Sequence, residues 1–182
     1  MYKTVPFLPE DIFSLDLVNL DSTTDNYSLS YYLYYHLNFS DNMYIVKTED
    51  LSSTCFLYTS KIVGYIIGKQ ERRGVLSMHV SSLSIAPTHR KCGLATSLMR
   101  ILEALGNERN AYFVDLFVRC SNFKAIAFYE KNGYIKYRRV LGYYTSPEED
   151  AYDMRISLER DGDKRYMVPV KKPVHAENLK YE

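Results

Sequence analysis

Leu83-Ser84-Ile85-Ala86-Pro87-Thr88-His89-Arg90-Lys91-Cys92-Gly93-Leu94-Ala95 is the stretch that decides the fold. It begins as a strand, passes through a basic turn and ends as a helix, because positions 94, 95, 98, 101, 102 and 105 are apolar at helical spacing. Arg90 and Lys91 stand just ahead of that helix. Free backbone N–H groups and the helix dipole already make such an end partly positive, so two cations stacked there imply a bound anion. Gly93 removes a Cβ that would hold a phosphate away from the backbone, and Ala95 does nearly the same one step on. The spacing is neither that of the Walker loop nor G-x-G-x-x-G. The plain alternative is a helix whose basic residues point into water.

Upstream, short β-rich runs at residues 43–46, 55–58, 62–68 and 76–85 are separated by polar or glycine-bearing connections, and they predict a meander. Pro9-Glu10-Asp11 has the acids of a first helical turn and predicts a helix continuing to Leu20. After a polar turn at 21–26, Ser28 caps a second helix whose apolar positions are Leu29, Tyr32, Leu33, His36 and Leu37. Tyr31, Tyr34 and Tyr35 fall outside that stripe and leave aromatic surface for a partner or for self-association. Downstream, residues 113–118 form an apolar strand broken only by Asp115. Residues 122–132 form a helix closed by Gly133 as C-cap, and 134–140 and 151–156 are two final strands. The order predicts an α/β (α+β) fold with a central sheet flanked by helices.

The chain has 182 residues, enough for one good core with roughly 70% of the unfolded surface buried. With 23 Lys+Arg against 22 Asp+Glu it lacks the positive field of a general nucleic-acid binder, so direct nucleic-acid binding is not expected. No apolar run approaches the ~20 residues that cross a bilayer, and the first residues lack the apolar segment of a secretory signal. An intracellular protein without a membrane span is expected. Cys55, Cys92 and Cys120 form neither a C-x-x-C pair nor an even set and read as free thiols. Eighteen tyrosines and no tryptophan fit wet pockets or interfaces better than a deeper core.

Arg90-Lys91-Cys92-Gly93-Leu94-Ala95 resembles the R/Q-x-x-G-x-G/A loop of the GNAT acetyltransferase superfamily, which binds the pyrophosphate of acetyl-coenzyme A. Three further segments accompany it: Leu-Ser-Ile-Ala-Pro just before it, Val114-Asp115-Leu116-Phe117-Val118-Arg119 with Ser121-Asn122, and Ala127-Phe128-Tyr129-Glu130-Lys131-Asn132-Gly133-Tyr134. Together they resemble the family of catalytic subunits of the N-terminal acetyltransferase B (NatB) complex, and the likeness runs through nearly the whole chain. The resemblance implies a GNAT acyl-CoA N-acyltransferase fold over residues 1–160, with a mixed, mostly antiparallel sheet. Residues 161–182 remain as a docked or partly flexible tail, read by its composition as solvated.

The resemblance also implies roles. Backbone groups of Leu83, Ser84 and Ile85 would hold the pantetheine arm, Arg90 to Ala95 the pyrophosphate, Asn122 the cofactor, and Tyr129 would lie near the thioester sulfur. No metal is implied. The family's substrates are protein N-termini beginning Met-Asp, Met-Glu, Met-Asn or Met-Gln, and His79 is the matching partner for residue two. Asp25, Tyr27, Tyr143 and Tyr144 match its peptide-gripping positions; Asp25 is one methylene shorter than a glutamate. The family works in the cytoplasm with a large helical-repeat (TPR-like) auxiliary subunit, on nascent chains at the ribosome.

Transfer to an amine needs a neutral nucleophile and an accommodated thiolate. With a pKa of about 7.7–8.0, roughly one α-amino group in ten is already neutral at pH 7, against one lysine in a few thousand. An N-terminal substrate therefore needs only a weak base. Residues 76–83 carry no carboxylate, so His79 or a backbone carbonyl would act through an ordered water, with Tyr129 serving the leaving sulfur. Three other readings stand beside this one: acetylation of internal lysines or small amines, a non-catalytic assembly subunit, and nucleophilic catalysis by Cys92 or Cys120, beside which no spacing places a histidine.

Overall fold

A computed structural model describes residues 1–20, 26–49 and 60–181. Its strands are β1 (Tyr2–Pro6), β2 (Met43–Glu49), β3 (Ser60–Arg73), β4 (Val75–Ile85), β5 (Phe113–Arg119), β6 (Ile135–Thr145), β7 (Glu148–Ser157) and β8 (Val174–His175). The helices are α1 (Asp16–Asn19), α2 (Leu29–Phe39), α3 (Leu94–Glu108) and α4 (Phe123–Lys131). The sheet order is β1-β2-β3-β4-β5-β7-β6-β8. The pairs β1/β2, β2/β3, β5/β7 and β6/β7 are antiparallel, and β4/β5 and β6/β8 are parallel. The strand expected at 55–58, Cys55 within it, and Asp25 lie outside the described residues.

The chain divides into two compact units, Met1–Lys69 with Ser82–Ile101, and Gln70–Ser81 with Leu102–Glu182. In the first, the expected helix from Pro9 to Leu20 is instead a 3-10 turn over Pro9–Ser14 followed by the one-turn α1. Asp11 is the reason. Its carboxylate accepts the Leu8 N–H at 2.9 Å and pairs with Lys47 of β2 at 2.9 Å, so it is spent on a local cap and an ion pair rather than on a helix first turn.

α2 begins after Ser28 as expected, but the Ser28 hydroxyl meets the Ser30 hydroxyl at 2.8 Å instead of capping the helix, and the helix buries a different face. Tyr32 and Tyr35 are buried, while Leu29, Leu33, Tyr34 and Leu37 are exposed. Tyr32 stacks on Phe7 and meets Tyr65 edge-on, and the Tyr32 and Tyr65 hydroxyls are joined by Asn19, which donates to Tyr32 at 3.1 Å and accepts from Tyr65 at 3.2 Å. A tyrosine with a partner for its hydroxyl buries more surface than a leucine, so the aromatics take the core and the leucines face outward. Burial pushes the Tyr65 and Tyr31 hydroxyls far above their ordinary range, so both remain neutral donors. Of the three tyrosines expected at the surface, only Tyr34 is exposed; Leu29, Leu33 and Leu37 join it, with Phe13, Leu17 and Leu20 from the preceding segment.

The second unit is built on β5, whose near-continuous burial fits a strand covered on both faces. At Gly106 of α3 a Cβ would stand 2.5 Å from Leu158 and 3.1 Å from Met78, which is why the helix carries glycine there. Asp161 is buried and accepts from Ser157 at 2.6 Å, from the Arg165 N–H at 2.9 Å and from the Tyr166 N–H at 3.1 Å. Farther on, β8 pairs with β6, and Leu179 packs on Val140 and Ala151. Residues 161–179 are held by caps and single anchors, which leave no periodic signature.

Candidate active site

In the first unit, β4 ends at Ile85 and a 3-10 turn over Pro87–His89 leads into the basic loop. Ser84 and Ile85 are buried and Leu83 half-buried. Arg90 donates Nε–H to the Ile85 carbonyl at 3.0 Å, so it fixes the turn as well as charging it. Lys91 adopts a left-handed conformation (φ 63°), uncommon for a residue with a Cβ, and Gly93 does likewise (φ 79°). Nothing lies within 4 Å of where a Gly93 Cβ would stand. Glycine is needed there for its backbone conformation, and the space over it is open. With Arg90 extended (φ −71°, ψ 161°), the two left-handed residues make this an irregular loop rather than a regular turn. It sits at the start of the fifteen-residue α3, anchored by buried Leu94, with Ala95 half-buried and Lys91 and Cys92 exposed. Charge, backbone shape and open space together fit a diphosphate.

In the second unit, Asn122 is the N-cap of α4 and not part of the helix; its Oδ1 accepts the Ala125 N–H at 3.1 Å. The turn before it is braced by Glu149, which accepts the Ser121 N–H at 2.6 Å and meets Arg119 at 3.5 Å. Those bonds, to Ser121 first and Arg119 second, hold the Glu149 carboxyl below its ordinary range. Tyr129 lies in the last turn of α4, half-buried, with its ring against Phe128 and Tyr134. Gly133 takes the left-handed conformation (φ 94°) that ends the helix.

Four aromatic or imidazole rings continue this unit. His79 is buried on β4 with its ring 5.3 Å from Phe117; Phe117 meets Tyr143 at 4.5 Å, and Tyr143 meets Tyr144 at 5.0 Å. Tyr144 donates its hydroxyl to the Phe117 carbonyl at 3.3 Å and carries the Arg119 guanidinium over its ring at 4.0 Å. The structure thus brings His79, Tyr143 and Tyr144 together through Phe117. Tyr27, in the other unit, stacks on Tyr31 at 4.0 Å.

Sequence reasoning missed Asp115 and Phe117. Asp115 Oδ2 is 3.2 Å from His79 Nδ1, both side chains buried. A signal existed: Asp115 interrupts an apolar strand, and period two puts it on the same face as Phe117. Behind it, Arg155 grips Asp153 with two bonds of 3.0 and 2.8 Å, and Arg138 adds a third at 3.2 Å. Burial pushes the Asp153 carboxyl above its ordinary range, against the pull of the Arg155 and Arg138 guanidiniums. The Arg155 guanidinium lies between the rings of Tyr137 and Phe113, 3.5 and 4.4 Å from their centres. Burial also pushes the Cys120 thiol up, away from a reactive thiolate. Among the described residues no cluster of His, Cys, Asp or Glu is arranged to hold a metal, and no helix is long and apolar enough to cross a membrane.

Residues 16–134 match the model of the acetyltransferase (GNAT) family. The chain is 44% identical over 165 residues to the N-terminal acetyltransferase B complex catalytic subunit naa20 of Schizosaccharomyces pombe, covering 88% of each. It superposes on the crystal structure of Chaetomium thermophilum Naa20 in complex with a bisubstrate analogue with a TM-score of 0.83 and 34% identity, covering 96% of this chain and 97% of that one. It also superposes on a chain of the NatB acetyltransferase complex bound to CoA and MES, with a TM-score of 0.73 and 33% identity over 86% and 99% of the two chains. With its mixed sheet, its basic loop at the start of α3 and this similarity over nearly its whole length, the chain belongs to the GNAT acetyltransferases and, among them, to the catalytic subunits of N-terminal acetyltransferase B, which take acetyl from acetyl-coenzyme A.

Proposed function

We propose that this enzyme acetylates the α-amino group of nascent proteins beginning Met-Asp, Met-Glu, Met-Asn or Met-Gln. The observation that carries the proposal is the buried His79 beside the Phe117, Tyr143 and Tyr144 rings: apolar surface for a methionine next to one polar group for the second residue. Acetyl-coenzyme A supplies the activated acetyl group. The loop from Arg90 to Ala95 holds its diphosphate, and the backbone of Leu83 to Ile85 holds the pantetheine arm. Asn122, whose Oδ1 is engaged as a cap, has its amide N–H groups to offer. Tyr129 gives a proton to the departing sulfur. No carboxylate lies on β4, so the amine, already partly neutral, loses its proton to an ordered water helped by a backbone carbonyl. Tyr27 and Asp25 take the peptide-gripping roles that the family resemblance implies.

Phe13, Leu17, Leu20, Leu29, Leu33, Tyr34 and Leu37 are exposed large apolar side chains near the N-terminus and mark a surface for a partner. A helical-repeat auxiliary subunit covers it, and the heterodimer works in the cytoplasm at the ribosome; the solved NatB complexes support the partner subunit.

The test is a panel of short peptides incubated with acetyl-coenzyme A, with and without the auxiliary subunit, and read by mass. Free N-termini of the four classes become acetylated, and an N-blocked lysine peptide does not. Preferential lysine modification, or no product in either arm, contradicts the proposal. In the same assay His79→Ala lowers kcat/KM for acidic second residues by roughly tenfold and for amides by about threefold, since a bond to a charged partner is about twice as strong as a neutral one. An unchanged preference removes His79 from recognition.

A further inference from the structure

His79 and Asp115 face each other in the parallel β4/β5 register, and their side chains are each more than nine-tenths buried. An ionised carboxylate can only accept, so at 3.2 Å the hydrogen belongs on His79 Nδ1, and the neutral ring carries its lone pair on Nε2. Asp115 is itself held. Arg155 stands opposite it in the β5/β7 register, locked in turn by Asp153, while Phe117 packs beside the histidine ring. Counting charges, Asp115 and Asp153 balance Arg138 and Arg155, so the cluster is neutral while the ring is neutral. A protonated ring adds one positive charge. A carboxylate arriving on a substrate cancels it again.

We infer that Asp115 is the positioning residue that allows a single histidine to serve both acidic and amide side chains at the second position of the peptide. This rests on the reading of His79 given above. With an amide, the neutral ring accepts an N–H on Nε2. With a carboxylate, His79 takes up one proton from solvent and donates Nε2–H, while Nδ1–H stays on Asp115, whose charge stabilises the imidazolium. In both states Asp115 holds the same ring nitrogen and the same ring orientation, so nothing need move between substrate classes.

The test uses the full chain. In Asp115→Asn the shape is kept and the counter-charge is lost. kcat/KM falls roughly tenfold for Met-Asp and Met-Glu peptides, chiefly through KM, and less than about threefold for Met-Asn and Met-Gln. Acetyl-coenzyme A affinity, measured by calorimetry, stays within about twofold and reports that the variant is folded. A second measurement needs no variant: ¹⁵N NMR of the wild-type chain finds His79 protonated on Nδ1. A ring bare on Nδ1, or an equal loss for all four peptides, or no loss, overturns the assignment of Asp115. If His79→Ala flattens the acid-to-amide preference and Asp115→Asn does not, Asp115 alone is misassigned. If neither variant alters the preference, the reading of His79 falls first and Asp115 with it.

Discussion

Tyr129→Phe lowers kcat by roughly a hundredfold or more while acetyl-coenzyme A affinity changes by less than about twofold, because a positioned proton donor contributes about 10²- to 10⁴-fold. The substitution removes one oxygen and keeps the ring that packs at 5.1 Å on Phe128 and 5.9 Å on Tyr134. The ends of α4 do not depend on that oxygen. Asn122 caps the first turn, and the Tyr129 backbone carbonyl still accepts from the Asn132 and Tyr134 N–H groups. A loss in kcat with retained binding therefore reports chemistry and not misfolding. Single-turnover kinetics with a Met-Asp peptide, beside calorimetry of the cofactor, make the separation. Wild-type turnover in the variant takes Tyr129 out of the reaction.

Asp153→Ala has a comparably large effect, this time on stability: about 3–5 kcal/mol, the usual cost of leaving a buried charge without its partner. Asp153 is 1% exposed and is held by three guanidinium bonds from Arg138 and Arg155. Removing the carboxylate takes the Asp153 counter-charge from two cations, one of them packed on aromatic rings. Urea unfolding reads the loss as a lower midpoint at unchanged slope. Replacing Asp153 and Arg155 together by apolar residues of similar volume costs less than the single change, since no charge on Arg155 is then left unpaired. A single variant within about 1 kcal/mol of wild type would mean that Asp115 alone neutralises both arginines.

The parts of the fold legible in the sequence are those with strong periodicity or local chemistry. The change from β-rich runs to the helical stripe at residue 94 marked β4, the basic loop and α3, and Gly133 marked the stop of α4, while Asn122, read as its first residue, is its N-cap. β1 was not legible because it is an edge strand with almost every residue exposed, leaving no alternation to find. α2 was located but its buried face was misread: hydrophobicity ranks leucine above tyrosine, whereas here the tyrosine hydroxyls find Asn19 and one another. The loop glycine was legible as a place where a phosphate could approach the backbone, whereas its left-handed conformation, a second reason for glycine, was not. His79 was found by resemblance. Its neighbour Asp115, thirty-six residues away, enters only through the register of two parallel strands, which no local pattern encodes.

The proposed function requires that the loop from Arg90 to Ala95 hold the diphosphate of the acetyl donor. Titration calorimetry of acetyl-coenzyme A into the wild-type chain and into the double variant Arg90→Glu, Lys91→Glu, with thermal unfolding as the control for folding, tests it most directly. Two charge-assisted contacts worth about 1.5–3 kcal/mol each predict clear uptake by the wild type and a loss of roughly a hundredfold or more in the variant. Undiminished uptake by a folded double variant, or none by the wild type, would contradict the account.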